Sequence, residues 1–234
     1  TLAELGTFNR TGGTVNLTGT LDNSGGSLDL NATTGDWTLN GGRIDNGTVQ
    51  FLDGQTLRVT ANSGNRLSGV TLEGDVDLSG LSSTLRISNG LTLNGTITLS
   101  GSGARLMSDT TQTIDGTGTI AFVGVSGSTR NLTVEGGTTL TLGADLTVRG
   151  GRGHIGQQHA TFGTNRLINQ GTILADLAGQ TLTVDPIGSG ATFSNQGTMT
   201  AVNGATLVLG SDWTNTSTIT VTNSTLALND NWDN

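Results

Sequence analysis

The chain has no cysteine, which excludes a disulfide framework and any thiolate metal site. It has no tyrosine, aromatic residues make up only 3% and apolar residues only 32%, too little for a thick globular core. Lysine is also missing: all ten basic residues are arginine, so the side chain often used to blunt exposed strand edges is not available. No stretch approaches the roughly 20 apolar residues that span a bilayer, and membrane insertion is not expected. Positive charge is scarce, with 10 arginines against 18 acidic residues and a formal net charge of −8. The resulting field repels phosphate backbones and anionic lipid, so nucleic acid is not an expected partner. The first residue is Thr1, with neither an initiator methionine nor a signal peptide, as in a processed chain.

What the chain does have is glycine, 38 residues of it, with threonine and asparagine, and an apolar set of leucine, valine and isoleucine. The apolar residues recur in alternating pairs between turn signals, which excludes disorder and marks short strands. The pattern threonine, apolar, asparagine or acid, glycine begins at Thr71, Thr92, Thr113 and Thr133, a nearly constant step. An earlier copy, Thr38-Leu39-Asn40-Gly41, implies a longer excursion or a skipped register between Gly42 and Val70.

At a constant step, Leu72, Leu93, Ile114 and Val134 form one inward column, and Leu78, Leu99, Ile120 and Leu140 a second. Val70, Leu91, Gln112 and Leu132 form a third, where Gln112 needs a corner or a backbone partner. The C-terminal third carries a variant that begins at Leu167, Phe193 and Trp213, with asparagine two residues on, and second apolar pairs at Leu182/Val184, Leu207/Leu209 and Leu226/Leu228. Asn-Gly pairs at 46–47, 89–90 and 94–95 supply the positive φ of tight corners.

These features predict an all-β fold, a single right-handed parallel β-helix over residues 1–234 with coils of about 20 to 21 residues, roughly eleven in all. Antiparallel hairpins also use Asn-Gly turns, but a hairpin array has no need of equivalent residues at that step.

Chemistry-bearing residues are few. His154 and His159 lie in the least repetitive stretch, without nearby acids or cysteine, and read as solvated loop histidines. Asp75 and Asp77 share one strand face beside Thr96 and Thr98 and read as a solvated polar face. Glu73, Asn94, Asp115 and Glu135 are expected as an outward column, with Asp115 and Glu135 as adjacent like charges. Thr198/Thr200 and Thr218/Thr220 align as an ice-binder's ladder would, but Leu174 in the preceding coil breaks it. No catalytic, cofactor-binding or metal-binding residue is assigned, and no cofactor is expected.

The repeats at 71 to 136 and the Asn-Gln-Gly-Thr units at 169 and 195 resemble the repeat regions of large bacterial surface proteins, autotransporter passengers and filamentous-haemagglutinin-like adhesins. The resemblance implies an exported, extracellular or cell-surface protein with a structural or adhesive role, not an enzyme, meeting a glycan or matrix surface. The alternative is a polysaccharide lyase or hydrolase of the pectate-lyase-like β-helix type, a comparison that Arg152 and His154 invite. Trp232 restarts the aromatic motif one repeat after Trp213, and Phe8 already enters a similar unit. Two bare ends are therefore expected, joined head-to-tail in a filament or to flanking repeats of a longer chain.

Overall fold

The computed structural model describes residues 1–124 and 126–233. It is a parallel β-solenoid whose coils each lay strands on three walls. Wall I is a ladder of ten parallel strands from Val15–Leu17 to Ile219–Val221. Wall II runs from Thr20–Asp22 to Thr225–Leu228, and wall III from Ser27–Leu30 to Trp232–Asp233. In the third and fourth coils the strands Arg66–Glu73 and Thr84–Leu93 run through the corner, joining walls II and III.

Alternation decides which side chains enter the core. Trp37–Leu39, Val76–Leu78 and Thr139–Leu142 bury every second residue, as a strand with one solvated face must. In wall I, register stacks Trp37, Leu57, Val76, Ile97, Ile120, Val148, Ile173 and Met199, all buried. The corner pairs Asn46-Gly47 and Asn89-Gly90 hold positive φ, at 62° and 66° and at 59° and 89°, while Asn94 does not.

The expected columns hold pairwise and then slip. Leu72 faces Leu93, but Ile114 faces Leu91, and Val134 lies on wall II opposite Ser108. Leu78 faces Leu99, which is followed by Phe122 where Ile120 was expected, and Leu140 belongs to wall III. Gln112 faces Leu140, not Leu132, whose neighbour is Leu106. The cause is coil length. Along wall I the step from Ile97 to Ile120 exceeds that from Val76 to Ile97, and the step from Ile120 to Val148 is longer again, so a constant step drifts off the wall. For the same reason the ladder has ten levels where eleven coils were expected. Of the two alternatives for the interval 42–70, the skipped register holds and the excursion does not: it carries the ordinary strands Arg43–Asp45, Thr48–Phe51 and Leu57–Val59, and Thr38 lies on wall I beside Asn16 and Arg58.

Past residue 166 the expected register is met throughout. Leu167, Phe193, Trp213 and Trp232 are successive rungs of wall III, and Leu182, Leu207 and Leu226 of wall II.

The two ends differ. At the N-terminal end the short helix Leu2–Leu5 precedes the first coil. Leu2 and Phe8 pack on the core, and Phe8 meets Trp37 edge-on at 6.0 Å. This corrects the expectation of a bare N-terminal end. At the other end Trp232 stacks on Trp213 at 5.7 Å and stays 54% exposed, with Leu228 and Val221 exposed beside it.

Candidate functional site

The polar side chains that leave the repeat gather on the outer side of wall II, between the second and seventh coils. Parallel register puts Arg43, Arg66 and Arg86 at one position in three successive coils. Like charges about 4.8 Å apart repel. Arg43 pairs with Asp45 on its own strand. Asp109 joins the other two, 2.6 Å from Arg86 and 2.8 Å from Arg66. Only the Arg86 contact has hydrogen-bond alignment; the Arg66 contact is an ion pair. Arg105, opposite Thr84, has no acid or carbonyl partner among the described residues.

Over the sixth coil folds the loop 158–164 from the seventh. Glu135, 2% exposed, accepts the backbone N–H of His159, Ala160 and Thr161 at 2.7 to 2.8 Å. The Gly136 N–H donates to the Thr161 carbonyl at 2.9 Å. Gln158 ties the base of the loop to the carbonyls of Gly163 and Ile187. Glu135 is thus buried under a loop and not set in an outward column beside Asp115. Its carboxylate replaces the turn's missing ladder partners, which is why a buried charge is tolerated. His159 and Phe162 are left exposed on this anchored loop, Phe162 by 80%. Partial burial first, then the fields of Arg105 and Arg86, lower the His159 pKa against the opposing pull of Glu135.

His154 stands apart from His159. It sits within the wall II strand Gly153–Gln157, between Asn131 and Thr183, with Nε2 3.3 Å from the Asp185 carbonyl. Burial lowers its pKa, opposed by Asp185. It is a half-buried wall residue, not a loop histidine. Arg152, at φ 51°, spends its guanidinium on the Gly127 carbonyl. Neighbouring Arg130 is 3% exposed, with its guanidinium on the carbonyls of Ser100 and Ser126. Burial and Arg152 lower its pKa.

The remaining expected groups serve the coils. Asp75 accepts the Thr96 N–H at 2.7 Å, and Asp77 accepts the Ser79 hydroxyl at 2.6 Å in register with Thr98. Arg58 also shares register with Asp77, a cation the spacing alone did not reveal. Asn94 donates to Glu73 at 2.8 Å. Gln112, buried, donates to the Ile87 carbonyl at 2.9 Å and accepts from the Gly90 N–H at 2.9 Å, the backbone partners it required. Thr198 and Thr200 face Thr172 and Leu174, so the threonine ladder breaks where expected.

No three His, Asp or Glu side chains among the described residues cluster as metal ligands. Sequence reasoning missed Arg66, Arg86, Arg105, Asp109 and Phe162. The near-even spacing of Arg43, Arg66, Arg86 and Arg105 along the chain was the available signal. The chain matches no protein-family model, no curated protein and no solved structure.

Proposed function

We propose that this chain is a non-catalytic scaffold of an extracellular or bacterial cell-surface protein, structural or adhesive in role. The observation that carries the reading is the use made of the polar residues. Glu135 is consumed by three backbone N–H groups, Asp109 by two arginines, and Asn169, Asn195 and Asn215 by one another at 2.7 Å. A chain that spends its acids and amides on holding coil to coil is built for length and rigidity. The fold also suits a polysaccharide-cleaving enzyme. Yet His154 and Arg152, the pair that invites that comparison, are held by different carbonyls, those of Asp185 and Gly127.

At the last described coil Trp232, Leu228 and Val221 expose a core cross-section, and the aromatic rungs of wall III suit it to pairing with another strand. The covered N-terminal end does not offer the matching face, so a second copy would have to displace Leu2 and Phe8 to stack head-to-tail.

A panel of acidic polysaccharides tests the catalytic alternative. Retention without turnover, or no interaction, keeps the scaffold; turnover lost on Arg152→Ala or His154→Ala overturns it.

A further inference from the structure

The outer side of wall II has one local excess of positive charge on a chain of net charge −8. Arg66, Arg86 and Arg105 stand there against Asp109 and Glu135, whose carboxylate is buried beneath the loop it anchors but still acts on His159. Arg86 is 17% and Arg66 28% exposed; Arg86 donates Nε to the Ser63 carbonyl at 2.9 Å and a terminal nitrogen to Asp109, and Arg66 is paired with the same carboxylate, so both are held in fixed positions. Arg105, half-buried one coil on, has no acid or carbonyl partner among the described residues. Next to them the anchored loop 158–164 presents His159 and the exposed ring of Phe162. The loop's backbone is tied down at Glu135 and Gln158, so ordering it on binding costs little. An apolar ring on a loop whose His159 lies in the field of Arg105, a guanidinium with no acid or carbonyl partner among the described residues, is a pairing that takes a ligand with both a flat apolar face and an anionic group.

We propose that this surface binds an acidic polysaccharide, with Arg105 taking a carboxylate or sulfate group and Phe162 a sugar ring. The proposal rests on the adhesive reading and names its ligand class. A uronic or sulfated glycan suits the site because its charges are spaced by neutral rings. Duplex DNA carries one charge per about 1.7 Å and would bring many phosphates against the acidic remainder of the chain.

Binding of the full chain to immobilised heparin, polygalacturonate, neutral dextran and duplex DNA, with inorganic sulfate as competitor, tests it. Retention on one or both acidic glycans and neither dextran nor DNA is expected. Arg105→Ala should weaken it about tenfold, the loss of one charge-assisted contact. Phe162→Ala should weaken it several-fold. Arg166→Glu, a larger charge change at an exposed site on wall III, should leave it within about twofold.

Equal losses from Arg105→Ala and Arg166→Glu, equal retention on DNA, or full competition by dilute sulfate would overturn the site in favour of general anion attraction. No retention by a correctly folded, sized chain overturns the site and leaves the scaffold standing. Retention with turnover does the reverse.

Discussion

The last three coils and the middle three are made from the same wall but put it to different use. From Thr172 onward, wall III repeats its rungs almost unchanged, with Phe193 under Trp213 and Asn195 under Asn215. Between Thr96 and Gly171 the coils lengthen, and the surplus goes into the stretch before Arg130 and the loop 158–164. Repetition builds a wall whose rungs satisfy one another. Departure from repetition leaves side chains with no copy above or below, and these are the ones the surface can use. Arg105 and Phe162 are of that kind, and so is the misfit that Gly153 relieves.

That misfit offers the sharpest way to break the contrast. Gly153 stands in a wall II column that continues with Leu182 and Leu207, so leucine is the residue a regular coil would place there. The ring of buried Phe122, one coil earlier on wall I, takes the space instead: a Cβ on Gly153 would lie 2.6 to 2.8 Å from its carbons. Gly153→Leu should therefore cost about 3 kcal/mol by overpacking, seen as a lower urea midpoint. Adding Phe122→Ala should recover part of that loss. A Gly153→Leu chain as stable as the parent would mean that the middle coils are as adaptable as the last three.

The regular region breaks differently, through its polar ladder. Asn195 is fully buried; its amide donates to Asn215 at 2.7 Å and to the Gly197 carbonyl at 2.9 Å, and its oxygen accepts from Asn169 at 2.7 Å. Asn195→Ala removes one rung and strands the polar groups that faced it, an expected cost of about 2 kcal/mol. Replacing all three asparagines with leucine removes the side-chain partners together but strands the Gly171, Gly197 and Ser217 carbonyls they also serve, and should cost more than the single change. If the triple variant is the more stable of the two, those carbonyls find other partners and the ladder serves only itself.

The same contrast explains what was legible in the sequence. Constant spacing is readable, so the rungs of the C-terminal coils, from Leu167 through Phe193 to Trp213 with asparagine two residues on, align from the sequence alone. Glycine-rich turns and alternating leucines also identified the parallel stack. Insertions are not readable in that way, because a small lengthening before Ile114 or a larger one before Val148 moves every later side chain to another neighbour. Ile114 was thus assigned to the wrong column and Val134 to the wrong wall. The candidate site was missed for the same reason: Asp109 meets Arg66 and Arg86 only once the fourth and fifth coils are in true register. Glu135 looked like one more outward acid because nothing in its own repeat announces a loop arriving from the next coil.

The smallest effect belongs to His154, which sits where the two kinds of coil meet, between Asn131 of the insertion-bearing sixth coil and Thr183 of the eighth. Its ring is largely withdrawn from water, and burial holds its pKa below the usual 6.5 despite the nearby Asp185 carbonyl and carboxylate. A histidine lowered on folding binds its proton more tightly in the unfolded chain, so stability rises with pH across the interval between the two pKa values. Its contribution is complete above about pH 6.5 and is lost as pH falls from there towards the folded value. His159 shifts in the same direction but is exposed, and solvent screens its share. Asp22, held down by Ser24, titrates below 3.8, outside this window. Urea midpoints measured at pH 7.5 and at steps down to pH 5 should therefore show a shallow fall in the parent. His154→Gln, which keeps a polar side chain that can face the Asp185 carbonyl, should flatten it, while His159→Gln leaves most of the slope. An unchanged slope in His154→Gln would place the titrating group elsewhere and make His154 an ordinary outward rung, as solvated as the threonines above and below it in the regular coils.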